Sequence, residues 1–219
     1  VYKEIRRHSP VFWSDDHRCY FAMSYDAVKT VLNNKIFGVD IPFRASRQLF
    51  GRTIMDVDGE EHKRLRLIMS QAFRPNVVPG YADQLIKPVI QSVIDSIKHK
   101  NKVDFVEEFA ALIPVQIVAK IIGIPADDLS FFQDKTEKIT SFLDDTNKEG
   151  VFESAKGALK ELETYLIPIV EENKQNPQDT VIGELINAQK EGLEISDQEI
   201  ITQACLLIPA AIDTTNRLI

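Results

Sequence analysis

The chain has 219 residues, 44% of them hydrophobic and 27% charged, with a net charge of −7. That composition fits a soluble globular protein with enough apolar residues for a core. The acidic balance argues against a general nucleic-acid binder, which presents a basic face, and no run approaches the roughly 18 apolar residues of a membrane span.

The first elements are short. Pro10–Trp13 and Arg18–Ala22, separated by Ser14-Asp-Asp-His17, read as a β-hairpin. Ser24 caps a helix that runs to about Asn34. Residues 35–57 have no sustained period and hold Gly38, Pro42 and Gly51, so they read as a long loop, functional or mobile. Its Phe37, Phe43 and Phe50 are candidates for an apolar pocket, or for ordinary core packing.

From about Asp58 the apolar period is helical. Glu60 and Glu61 favour a helix start, and Phe73 lies near that helix's end. A long amphipathic stretch covers Pro79–Lys98, Lys102–Asp104 reads as a short strand, and Pro114 opens an apolar helix that stops at Gly123-Ile-Pro125. Helices fit residues 126–145, 151–174 and 179–190, with a weak boundary signal at 146–150. Ser196-Asp-Gln-Glu199 has the form of a capping box starting the last helix. Pro168 and Pro209 fall inside helical patterns, where each costs about 3 kcal/mol or forces a kink.

Three places carry chemistry. His62 and Arg66 share a helix face and make a clamp for a carboxylate or phosphate; the alternative is a solvated basic face, since Lys63 and Arg64 are adjacent. Residues 44–74 hold seven Arg and Lys against four Asp and Glu, a basic patch suited to an anionic cofactor or an acidic partner. Near the end, Asp213 and Thr214 interrupt an apolar helix, where an ionisable group is costly. A carboxylate beside a hydroxyl can relay protons; alternatively, a threonine bonds back to a helix carbonyl and the aspartate pairs with a cation. Ala210 and Ala211 leave room beside that helix for something large and flat. The two cysteines, Cys19 and Cys205, have no metal-ligand spacing and form no disulfide framework, which fits a reducing, cytoplasmic setting. The chain starts at Val1 rather than Met, which leaves a removed N-terminal segment open.

Together these stretches resemble the cytochrome P-450 superfamily, the thiolate-haem monooxygenases, above all its soluble bacterial members. Asp58-Gly-Glu-Glu-His-Lys-Arg-Leu-Arg66 is similar to the family's haem-propionate helix. Phe105–Pro114 through Ile122-Gly-Ile-Pro125 is similar to its next segment, and Ala210-Ala-Ile-Asp-Thr-Thr215 to the long central helix over the haem's distal face. The resemblance implies a mainly α fold with a small N-terminal β-hairpin, with residues 1–219 as the N-terminal portion of a single domain, truncated within the central helix. It implies that His62 and Arg66 contact the propionates of haem b, that Ala210 and Ala211 border the oxygen groove, and that Asp213 and Thr214 deliver protons. Ile54 and Met55 are implied to line the substrate pocket under the loop. Two departures stand out: Ala211 often has Gly as its counterpart, and Pro209 is an unusual neighbour.

The implied activity of the parent protein inserts one atom of dioxygen into a small apolar organic substrate, with electrons from a ferredoxin- or flavodoxin-like donor facing Lys63 and Arg64. The family's iron is held by a cysteine thiolate in a Phe-x-x-Gly…Cys segment. Neither Cys19 nor Cys205 matches that position, and the family's Glu-x-x-Arg helix is missing, so the chain alone is expected to be inactive and to hold no metal ligand. The alternatives are a peroxide-driven haem peroxygenase and a non-catalytic helical fragment or interaction module.

Overall fold

A computed structural model describes residues 2–75, 78–146 and 148–219, with the side chain of Asp213 also outside the described residues. Contacts divide the chain into residues 1–41 and 42–219.

The first unit opens with a helix that the sequence pattern does not announce, α1 (Tyr2–His8), which buries no residue. The expected hairpin follows. β1 (Val11–Ser14) and β2 (Cys19–Ala22) pair antiparallel, with Phe12 opposite Phe21 and Trp13 opposite Tyr20. The Phe12 and Phe21 rings stack at 5.4 Å and Trp13 meets Tyr20 edge-on at 5.0 Å, the cross-strand pairing that stabilises a small sheet. In α2 (Tyr25–Asn33) the Ser24 hydroxyl accepts the Ala27 N–H at 3.2 Å, as its capping role requires.

The second unit begins inside the segment expected to be a continuous loop. Six of those residues form α3 (Ala45–Phe50), which buries Leu49 and Phe50; one and a half turns are too few for a helical period to show. The helix α4 (Gly59–Gln71) buries Leu65, Ile68 and Met69 along one stripe. The stretch expected as one helix over 79–98 is interrupted. It consists of α5 (Val78–Tyr81), a π-turn at Ala82–Ile86, and α6 (Lys87–Ile97), with Pro88 in its first turn where an N–H is not needed.

The strand expected at Lys102–Asp104 does not form. Three residues with no partner strand gain no ladder. Asp104 instead accepts the N–H groups of Val106 and Glu107 at 3.0 and 3.1 Å, starting a π-turn at Val106–Ala110. Pro114 does not open its helix but sits in the first turn of α7 (Leu112–Ile122), which ends at Gly123 with φ 102°. A 3₁₀ turn at Ala126–Asp128 leads into α8 (Leu129–Asp144). The following segment, which includes Asn147 outside the described residues, leads to α9 (Val151–Gln175). The helices α8 and α9 pack along each other, so no boundary falls between them.

Thr180 caps α10 (Val181–Lys190), and the Ser196–Glu199 capping box starts α11 (Asp197–Leu218). Helices α9 and α11 run through Pro168 and Pro209 without a break. The core gathers Ile68 of α4, Phe132 and Ile139 of α8, Leu162 and Leu166 of α9, Ile182 and Ile186 of α10, and Ile200 and Ile208 of α11. Each such side chain contributes about 1.5–3 kcal/mol by leaving water. That burial outweighs the local cost of the two interior prolines. No helix among the described residues is long and apolar enough to cross a membrane.

Candidate functional site

Two helices carry most of the residues singled out by the sequence, and one side chain joins them. Arg64 of α4 donates to the Glu194 carbonyl at 2.6 Å and pairs with Glu199 at the start of α11. Glu199 also accepts the Ser196 N–H at 2.8 Å, closing the capping box. Burial pushes the Glu199 carboxyl up, but the bonds from Arg64 and Ser196 more than offset it, and the net shift is downward. The start of α11 is therefore registered against α4 by charge and by capping together.

This arrangement sorts the basic residues of α4. Lys63 pairs with Glu60 at 2.7 Å, Arg52 with Glu61, and Arg64 is committed to α11. His62, partly buried, and Arg66, exposed, have no side-chain partner among the described residues. They flank the buried stripe of Leu65 and Met69, one helical turn apart. Arg64, one of the two basic residues expected to face an acidic donor, is paired with the protein's own Glu199 carboxylate.

The segment between α3 and α4 is organised by Asp56, which is fully buried. Its two carboxylate oxygens accept the Ser46 and Thr53 hydroxyls, each at 2.7 Å. Arg44 lies 3.7 Å from the same carboxylate and donates to the Met55 carbonyl at 2.8 Å, while Arg47 donates to the Asp56 carbonyl at 3.0 Å. The sequence reading missed this hub. Four short-range donors around one acid, Arg44, Ser46, Arg47 and Thr53, were the available signal.

Beside this hub lies an apolar cavity of about 180 Å³. Phe50 and Met55 form one wall, Leu143 of α8 another, and Leu206, Pro209 and Ala210 of α11 the third. Thr214 lies at the same cavity, its hydroxyl donating to the Ala210 carbonyl at 2.9 Å, the back-bonded geometry that a helical threonine often takes. Of the residues expected to line a pocket, Met55, Ala210 and Phe50 do so. Ile54 and Ala211 pack against the core, and Phe43 is exposed elsewhere. Asp213 lies on α11, and its side chain is outside the described residues.

Neither cysteine offers a ready metal ligand. Cys205 is fully buried, and its burial, aided by the nearby Glu163 carboxylate, pushes the thiol far up, so it stays protonated. Cys19 is exposed on β2. Among the described residues no three His, Cys, Asp or Glu side chains gather as a metal cluster.

No family model matches the chain. Curated relatives do. A putative cytochrome P450, YjiB, of Bacillus subtilis is 25% identical over 222 residues, covering all of this chain and 55% of that protein. The polyketide-biosynthesis cytochrome P450 PksS of the same organism is 30% identical over 162 residues, covering 74% of this chain and 38% of that protein. Among solved structures, substrate-free CYP109E1 from Bacillus megaterium superposes with a TM-score of 0.85 at 28% identity, covering 98% of this chain and 57% of that one. The same protein in complex with testosterone gives 0.83 at 27% identity. The chain spans about half the length of the curated relatives it matches. It has their mainly helical fold with a small two-stranded sheet, and it fits the N-terminal half of a bacterial cytochrome P450.

Proposed function

We propose that this chain supplies the distal wall, the substrate cavity and the propionate clamp of a haem monooxygenase that acts on apolar organic molecules. The observation that carries the reading is the meeting of Met55 with Ala210 and Thr214 at one apolar cavity, although Met55 lies 155 positions before Ala210. The relatives' P450 identity and the testosterone bound to one of them favour the same class of substrate.

The residues fit haem b. Its propionates are carboxylates, and Arg66 is the exposed guanidinium on α4 left without a protein carboxylate, one turn from His62. When bound, the haem supplies dioxygen activation and oxygen insertion. Ala210 and, one turn on, Thr214 are both exposed, and they keep this face of α11 open to a flat group. The cavity's apolar walls suit an apolar substrate. Thr214 holds a proton at its hydroxyl, parked on the Ala210 carbonyl; rotation releases that proton to a ligand oxygen, and Asp213 is assigned as the acid that replaces it. Neither Cys19 nor Cys205 stands in a segment like the family's Phe-x-x-Gly…Cys ligand segment, so the iron's thiolate is not assigned within residues 1–219 and these residues alone are not expected to turn over. The electrons are assigned to a ferredoxin- or flavodoxin-like donor, docking through basic residues other than Arg64.

The test uses the parent protein. Thr214→Ala is expected to retain haem and NAD(P)H consumption while product per NAD(P)H falls about tenfold and peroxide rises, the scale on which a lost general-acid group acts. Unchanged product per NAD(P)H removes Thr214 from proton delivery. Equal turnover with peroxide alone replaces the electron-driven reading with a peroxygenase. Failure of the parent to bind haem leaves the helical interaction module.

A further inference from the structure

We propose that Thr53 and Asp56, neither of which reaches the cavity beside Thr214, are positioning residues that set how a substrate fits there by fixing the main chain of Met55. The inference deepens the proposed function and rests on it only in calling this cavity the substrate site. Met55 forms part of the cavity wall, yet it is 45% exposed. A methionine side chain turns about three bonds. With so little packing of its own, its place in the wall is left to the backbone that carries it. Phe50, on the same wall, is held by its own burial instead.

That backbone is gripped on both sides. The Met55 N–H donates to the Thr53 hydroxyl at 3.3 Å, and the Met55 carbonyl accepts from the Arg44 guanidinium at 2.8 Å. The Thr53 hydroxyl is aimed in turn. Its one proton goes to the buried Asp56 carboxylate at 2.7 Å, which leaves a lone pair for Met55. The Asp56 N–H donates to the Thr53 carbonyl at 2.9 Å and closes residues 53–56 into a turn. The same carboxylate accepts the Ser46 hydroxyl, and the Asp56 carbonyl accepts from Arg47 at 3.0 Å, so the turn is tied to α3. Thr53 and Asp56 are fully buried, and neither is among the residues that line the cavity. Hydrogen bonds to a charged acceptor are about twice as strong as neutral ones. The Thr53–Asp56 bond is thus the firm link, and it holds the longer, weaker bond to Met55 in place. Without the Thr53 hydroxyl the Met55 N–H loses this acceptor, and Met55 is free to leave the wall. A ligand then binds only the fraction of molecules with Met55 in place, and its apparent affinity falls by that fraction.

The experiment uses the parent protein with isotope-labelled methionine methyls and titrates it with cyclohexanol, binding being read from the NMR signal of the Met55 methyl. Thr53→Val keeps the shape of the side chain and removes its hydroxyl; Thr53→Ser keeps the hydroxyl and removes a methyl. Thr53→Val is expected to weaken cyclohexanol binding about fivefold, the ratio that one neutral hydrogen bond supplies. Thr53→Ser is expected to bind as wild type does. Thermal melts separate positioning from plain stability, because Thr53→Ser leaves a small void in the core and should melt below wild type with its affinity intact. Arg44→Ala, at a part-exposed position, should weaken binding through the Met55 carbonyl, and it decides the question if Thr53→Val fails to fold. Wild-type affinity in Thr53→Val overturns the proposal, or in Arg44→Ala where that variant decides. So does an equal loss in Thr53→Ser and Thr53→Val, or the absence of a saturable shift at the Met55 methyl in wild type. Haem and turnover do not enter this measurement. An affinity that follows the hydroxyl in a parent that binds no haem sinks the monooxygenase reading alone; a haem-loaded parent whose affinity ignores the hydroxyl sinks this inference alone.

Discussion

Removing Glu199 should loosen the start of α11 and its tie to α4 together. In Glu199→Ala the Ser196 N–H loses its 2.8 Å acceptor and Arg64 keeps only the Glu194 carbonyl. The capping contribution is about 1 kcal/mol. The ion pair, whose side chains are 35% and 34% exposed, adds about 0.5–1 kcal/mol, discounted for solvent screening. The expected loss is about 1.5–2 kcal/mol, read from urea unfolding of the wild-type and variant chains at pH 7. Arg64→Ala and the double variant complete a cycle, and the coupling energy should be about 0.5–1 kcal/mol. The pH dependence has a definite sign. Glu199 has a folded pKa below the ordinary 4.5, so its contribution is full above that value and is lost as pH falls through the folded one. The gap between wild type and Glu199→Ala should therefore close in acid. A coupling energy of zero, or a gap that widens below pH 4.5, refutes the view that this pair registers the two helices.

Two further outcomes follow from packing and burial. A Cβ at Gly183 would stand 1.9 Å from the Gln178 carbonyl oxygen, whereas one at Gly157 meets nothing within 4 Å. Gly183→Ala should cost about 3 kcal/mol by overpacking and Gly157→Ala, inside α9, should gain about 0.5–1 kcal/mol; thermal melts that rank them the other way contradict the packing. A thiol reagent should modify Cys19 at once in the native chain and Cys205 only after unfolding, because Cys205 is buried with its thiol held neutral. Rapid double labelling under native conditions would contradict that burial.

Legibility in the sequence followed the range of the forces involved. The capping box at Ser196 and Glu199, the Ser24 cap and the Phe12/Phe21 hairpin are written within a few residues and were read directly. The long amphipathic helices α8, α9 and α10 were read from period alone. Short elements with no period to display are not: α1 goes unread, and α3 is hidden inside an apparent loop. The strand expected at residues 102–104 failed because β-structure requires a partner that three residues cannot specify. Local spacing identified His62 and Arg66 as a pair. Only tertiary structure shows that Arg64 is bound to a residue 135 positions away, while His62 and Arg66 have no side-chain partner among the described residues. Likewise the proximity of Met55 to Thr214 has no signature in either segment.

The way Asp56 is bonded bears on which neighbouring positions are free to change. The carboxylate draws its hydroxyl partners from Ser46 and Thr53, while Met55, between them and the cavity, contributes only its main chain to the hub. Its side chain is 45% exposed and is a free choice. Ser46 belongs to both the hub and the cavity wall, whereas at position 55 the main chain serves the hub and the side chain serves the cavity. Drift at position 55 can reshape the cavity at little cost in folding, and drift at position 56 cannot. Position 55 is one to vary and position 56, next to it, one to keep.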